Sequence, residues 1–137
     1  MREDFTIIEQ LRIPSNLDEI GRIETLVDRV CGELGINEEF YGNVLIAVTE
    51  AVNNAIQHGN AGVSGAEVIV NVGNSTNEFV FNVKDMGRGF DYDNLPDPTA
   101  PENILKENGR GIFLMKNLSD QVEFEDNGKS VLIYFNK

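Results

Sequence analysis

Ala66–Asp85 reads A-E-V-I-V-N-V-G-N-S-T-N-E-F-V-F-N-V-K-D. Two runs rich in β-branched and aromatic residues, about 66–73 and 78–85, flank the turn-forming stretch Gly73-Asn74-Ser75-Thr76-Asn77. Strands joined by so short a connection pair antiparallel, because a parallel pair needs a crossover of a dozen residues or more. Towards the N-terminus, Phe5, Ile7 (with Ile8), Leu11 and Ile13 alternate and predict a first strand over 5–13, ended by Pro14. Asn16 with Glu19 three residues on has the form of a capping box. Ile20, Ile23, Val27, Val30 and Leu34 then recur at steps of three and four, one apolar stripe on a helix that Gly35 stops. Asn37 is placed to cap a second helix. Its first half, Phe40 to Val48, is apolar almost all round and so predicts burial, and Gly59 and Gly62 end it.

Towards the C-terminus, the segment 90–108 holds three prolines with several Asp and Asn, a loop of functional length. Ile112 to Leu118 predicts a short helix, and 121–125 and 130–135 a closing hairpin over Asp126-Asn127-Gly128-Lys129. The order is strand, helix, helix, two strands, loop, helix, two strands. Hairpin-paired strands with helices grouped apart predict an α+β fold, a two-layer sandwich with helices on one face of a mostly antiparallel five-stranded sheet. A Rossmann arrangement is excluded, since strands and helices do not alternate and no G-x-G-x-x-G follows the first strand.

The 137 residues predict a single domain over 1–137, large enough to fold without disulfides. One cysteine, Cys31, permits no internal disulfide and fits a reducing compartment. No apolar run approaches the roughly 20 residues that span a bilayer, and the N-terminus lacks a signal-peptide core. The expectation is a soluble, cytoplasmic protein. A formal net charge of -12 with no basic run opposes binding to nucleic acid or to anionic membranes. A nucleotide remains admissible, because a helix N-terminus and one metal ion can neutralise phosphates locally.

Three short motifs carry chemistry. Glu50–Gly59 reads E-A-V-N-N-A-I-Q-H-G. On a helical wheel Glu50, Asn54, Gln57 and Asn53 form a polar stripe opposite Val44, Val48, Ala51 and Ala55. Glu50 and Asn54 stand one turn apart and can reach one ligand. A carboxylate can take a proton from an attacking hydroxyl, and an amide oxygen suits Mg²⁺. The same stripe also suits a solvated helix face, and His58 suits a plain helix-end role. Asp85–Gly89 reads D-M-G-R-G at a strand end. Its carboxylate can accept the exocyclic amine of adenine and would be left unpaired by guanine. Gly87 and Gly89 let backbone pass close to a flat base, although a plain turn has the same composition. Gly109-Arg110-Gly111 stands before Ile112, where free N–H groups at a helix start can meet phosphate and Arg110 can add charge. Arg88 and Lys106 flank the intervening loop, which is long enough to fold over a nucleotide.

Together Glu50-x-x-x-Asn54-Ala55-x-x-His58-Gly59, Asp85-x-Gly87-x-Gly89 and Gly109-x-Gly111-Ile112-Phe113-Leu114-Met115 resemble, in order, the three boxes of the Bergerat-fold ATP-binding family, which includes DNA gyrase and histidine kinases. The small size, the short lid and the ending Asp120-x-Val122 resemble most its bacterial anti-sigma factor serine/threonine-protein kinases. The resemblance implies Glu50 as general base and Asn54 as Mg²⁺ ligand. It implies adenine binding by Asp85, with Gly87, Gly89, Gly109 and Gly111 lining base and phosphates. It further implies ATP and Mg²⁺ as cofactors and phosphorylation of a serine on an anti-sigma-factor antagonist. A sigma factor as second partner and a homodimer follow from the same resemblance, and Arg22 matches a partner-contact position. Two other functions fit the motifs: an ATP-dependent protein-binding module without turnover, and a histidine-kinase-type catalytic domain acting on a separate protein.

Overall fold

The computed structural model describes residues 1–61, 63–87 and 107–137. Five strands, β1 (Thr6–Pro14), β2 (Glu67–Asn74), β3 (Glu78–Lys84), β4 (Gln121–Glu125) and β5 (Ser130–Asn136), form one sheet in the order β1-β2-β3-β5-β4. Every neighbouring pair is antiparallel. Three helices, α1 (Ile20–Glu33), α2 (Glu38–Asn54) and α3 (Glu107–Leu118), lie on one face of it. The α+β sandwich expected from the hairpin pattern is the fold observed.

Alternation along the strands decides which face meets the helices. Val68, Val70 and Val72 of β2, Phe79, Phe81 and Val83 of β3, and Val131, Ile133 and Phe135 of β5 are buried in one cluster with Ile23, Val27 and Val30 of α1 and Val44, Ala47 and Val48 of α2. Each such side chain contributes about 1.5–3 kcal/mol by leaving water, so this layer supplies most of the driving force. On the opposite face Val80, Leu132 and Tyr134 pack under Met1 and Phe5. The Arg2 guanidinium lies 4.0 Å from the Tyr134 ring centroid and pairs with Glu78 at 2.9 Å.

Local signals set most of the boundaries. Asn37 caps α2 by accepting the Glu39 N–H, and Gly35 after α1 takes φ +66°. The closing hairpin turns through left-handed Asp126, Asn127 and Gly128. Four expectations change. The first half of α2, expected to be buried almost all round, leaves Phe40 56% and Ile46 43% exposed, since only its Val44, Ala47 and Val48 side meets the sheet. The Asn16 motif caps a 3₁₀ turn, Leu17–Glu19, and α1 starts only at Ile20. Asn16 Oδ1 accepts the Asp18 N–H, but the Glu19 carboxylate turns outward to Arg22 at 3.3 Å, so only half of the capping box forms. Ile7, placed on the apolar side of the first strand, is exposed, because a register shift between Ile7 and Glu9 takes up the Ile7-Ile8 run as a bulge. The third helix already includes Glu107, ahead of the expected start at Ile112, so Gly109-Arg110-Gly111 lie inside it. Packing on α2 outweighs the low helix propensity of glycine there. Gly62 and residues 88–106, where the loop was expected, lie outside the described residues. Among the described residues no helix is long and apolar enough to cross a membrane.

Candidate nucleotide site

The second half of α2 turns one side to the core through Ala47, Val48 and Ala51, which leaves Glu50 and Asn54 on the flank that meets α3. Glu50 is half-buried, and Asn54 is only 4% exposed. Burial of this depth is not that of a solvated helix face, and a buried amide needs partners. Gly111 of α3 stands directly over the pair. A Cβ at Gly111 would lie 2.9 Å from Glu50 Oε2, 3.4 Å from Asn54 Nδ2 and 3.6 Å from Asn54 Oδ1. Glycine is what lets α3 approach this closely.

Asn54 Nδ2 is buried without a hydrogen-bond partner. The two ends of an amide are isosteric, so a half-turn presents the carbonyl oxygen at the same point. A hard-oxygen ligand for Mg²⁺ is therefore available at Asn54. Among the described residues no group of three or more His, Cys, Asp or Glu stands together.

After Asn54 the helix widens into a π turn, Ala55–Gly59, in which the Asn60 N–H donates to the Ala55 carbonyl at 2.8 Å. Single π turns of this kind are frequent at functional sites. The extra residue brings Gly59 against the end of β3. A Cβ at Gly59 would overlap the Asp85 carboxylate, and a Cβ at Gly87 would overlap the Gly59 carbonyl. Asp85 is 9% exposed and continues the sheet, its N–H donating to the Lys129 carbonyl at 2.8 Å. Its Oδ1 accepts the Gly87 N–H at 3.0 Å, which fixes the carboxylate plane. His58 lies within the π turn, half-buried, with Nε2 unpartnered.

The structure thus brings Glu50, Asn54 and Gly111 into one cluster and Gly59, Asp85 and Gly87 into a second, joined by the π turn. Gly89, Arg88 and Lys106 lie outside the described residues. Gly109 and Gly111 both lie within the described part of α3. The Arg110 backbone belongs to α3, and its side chain lies outside the described part.

Asn60 is a site-associated residue that motif reading passed over. It is 4% exposed, and its side chain makes three hydrogen bonds, one of them to the Asp85–Gly87 turn. Its only sequence signal is an amide directly after the helix-ending glycine, a position where Asn is common.

Comparison with known proteins identifies the family. A model of the histidine kinase-like ATPase domain matches residues 13–135. The chain is 30% identical over 140 residues to a serine-protein kinase RsbW of Bacillus cereus, covering 97% of this chain and 86% of that one. It is 29% identical over 124 residues to the RsbW of Bacillus velezensis, covering 86% and 78%. Among solved structures, the RsbU and RsbW domains of a Mycobacterium tuberculosis protein superpose with a TM-score of 0.63 at 16% identity, covering 94% of this chain and 32% of the other. The histidine kinase domain of a blue-light activated histidine kinase from Erythrobacter litoralis superposes with a TM-score of 0.53, also at 16% identity, covering 99% and 64%. The present chain therefore spans about a third of the first structure and 64% of the second, and both show the same fold. Since the family model runs through nearly all of the sequence and an RsbW relative aligns over most of both chains, this protein belongs to the histidine kinase-like ATPase family, alongside the RsbW serine-protein kinases.

Proposed function

We propose that this chain is a serine-protein kinase that transfers the γ-phosphoryl group of ATP to a serine of an anti-sigma-factor antagonist. The observation that carries this reading is the single cluster in which α3 seats Gly111 over Glu50 and Asn54. A base, an amide ligand and a glycine that admits α3 meet there, which suits the positioning and charge neutralisation that phosphoryl transfer needs. Glu50 accepts the serine hydroxyl proton as the new O–P bond forms and the bond between the γ-phosphorus and the β,γ-bridging oxygen breaks, with ADP leaving. Asn54 would hold Mg²⁺, which when bound would supply charge neutralisation for the transferred phosphoryl group. Asp85 accepts the exocyclic amine of adenine, with Gly87 and Gly89 beside the base. Gly109, Arg110 and Gly111 form the wall towards the phosphates.

The RsbW relatives and the three boxes support the same assignment at the level of partners. The protein acts in the cytoplasm as one domain and as a homodimer. It binds an antagonist in one state and a sigma factor in another, with no nucleic acid or membrane partner. Calorimetric titration with ATP and with GTP in the presence of Mg²⁺ tests the site. ATP is expected to bind clearly more tightly, and equal affinity overturns the Asp85 role. Transfer of labelled γ-phosphate to a purified antagonist tests the activity. Glu50→Gln is expected to keep ATP affinity and lose about 10²-fold or more in transfer rate. Undiminished transfer by that variant removes Glu50 as base.

A further inference from the structure

We propose that Asn60 is a positioning residue that sets the adenine-reading turn, and through it the preference of the site for a 6-amino purine. The inference rests on the reading of Asp85 as the adenine acceptor. The Asn60 side-chain carbonyl accepts the Met86 N–H at 2.8 Å, in the middle of the turn between Asp85 and Gly87. Its Nδ2 donates to the Glu67 carbonyl at 3.1 Å, at the start of β2, and to Ser15 Oγ at 3.2 Å, just past the end of β1. Both amide protons and one acceptor position are thus used in a site that excludes water almost completely. The backbone of Asn60 is held as firmly, its N–H by Ala55 and its carbonyl by the Val63 N–H at 3.0 Å.

The consequence is geometric. Asp85 keeps its carboxylate in place through the Gly87 N–H, and Gly87 lies against the Gly59 carbonyl. Those contacts fix the turn within itself and against one neighbour. The Met86 side chain touches the start of β2 through its Sδ, which accepts the Glu67 N–H at 3.3 Å. Asn60 ties the Met86 main chain to that same point and to Ser15 at the β1–α1 corner, so it sets the direction in which the backbone of the turn leaves the sheet. A hydrogen bond that selects the exocyclic amine is sensitive to that direction, whereas stacking on the base and contact with phosphates are not.

The test compares ATP with purine riboside triphosphate, which lacks the 6-amino group, by calorimetry on wild type, Asn60→Ala and Asn60→Asp. Wild type is expected to prefer ATP by roughly tenfold or more. In Asn60→Ala the ratio is expected to fall to within about threefold, as the turn loses its anchor. Asn60→Asp keeps an acceptor for the Met86 N–H and is expected to retain most of the preference even where its melting temperature falls. A purely structural role would lower both affinities together and leave the ratio unchanged, and that outcome in either variant that folds with Met86 unanchored overturns the proposal. Should Asn60→Ala not fold, Asn60→Ser, too short to reach Met86, carries the same expectation. If wild type itself shows no preference, the Asp85 reading fails and this inference with it. A preference that survives intact in Asn60→Ala sinks this inference alone.

Discussion

Gly87 and Gly111 show how two glycines of similar sequence context carry different loads. At Gly87 a methyl group would run into the backbone of Gly59, which cannot give way without moving the π turn. Gly87→Ala is expected to destabilise the fold by about 1–3 kcal/mol, as overpacking does, seen as a lower midpoint in urea. At Gly111 the nearest obstacle is the carboxylate end of Glu50, 2.9 Å away, a flexible group that can swing aside. Replacing a helical glycine by alanine also gains about 1 kcal/mol of helix propensity. Gly111→Ala is therefore expected to melt at or slightly above wild type while phosphate transfer falls about tenfold or more through a displaced base. Equal transfer rates would show that Glu50 is not positioned by this contact. At the same scale, Asp85→Asn replaces an acceptor by a group half of which is a donor, so ATP affinity is expected to drop by about tenfold or more in calorimetry. Glu50→Gln, off the base-binding end, is expected to leave affinity within about threefold of wild type.

Among the elements, β2, β3 and β5 were legible in the sequence because valine and phenylalanine at every second position can only be satisfied by one buried sheet face. The helical state of residues 109–111 was not, since two glycines in three residues read as a breaker until the close approach to Glu50 and Asn54 is seen. The Asn60 anchor was illegible for a different reason. Its partners Ser15 and Met86 lie 45 and 26 positions away, and no local pattern encodes such contacts. Glu50, Asn54 and Asp85, by contrast, stand within short motifs whose spacing is itself geometric. Helix α1 carries a separate prediction. Cys31 is buried against the core, and burial, with Asp28 nearby, pushes its thiol up to about 11 from 9.0. The unfolded chain releases this proton near pH 9 and the folded one only near 11. The stability it contributes is thus complete below pH 9 and lost as pH rises towards 11. The expected slope is at most about 1.4 kcal/mol per pH unit from this group. Tyr134, raised by burial and by Glu123, acts in the same direction. Urea midpoints measured from pH 8 to 11 should fall more steeply in wild type than in Cys31→Ala, and parallel curves would show that the thiol does not titrate with unfolding.

At the scale of the whole molecule, the two residue clusters draw on elements from both halves of the chain: α2 and its π turn, the end of β3, and α3. Helix α3 follows the segment 88–106 in sequence, yet Ile112 and Met115 join the same core as Ile13 and Ile23. A ligand held between α2, β3 and α3 is therefore coupled to global unfolding and not to the opening of one loop. Binding to the folded state alone stabilises it by RT ln(1 + [L]/Kd), about 2.7 kcal/mol at one hundred times Kd. For a chain of 137 residues that is a rise of several degrees in melting temperature. The formal charge of -12 makes the accompanying ion matter, since a tetraanionic nucleotide without Mg²⁺ meets the field of the whole protein as well as the local site. Scanning fluorimetry is expected to show the full rise with ATP and Mg²⁺ together, a much smaller one with ATP and chelator, and none with Mg²⁺ alone. The rise should persist in Glu50→Gln, shrink in Asn54→Ala to the chelator value, and vanish in Asp85→Asn. A rise in Asn54→Ala as large as in wild type would move the metal ligand elsewhere. The same rise with GTP would separate phosphate binding at α3 from any reading of the base at Asp85.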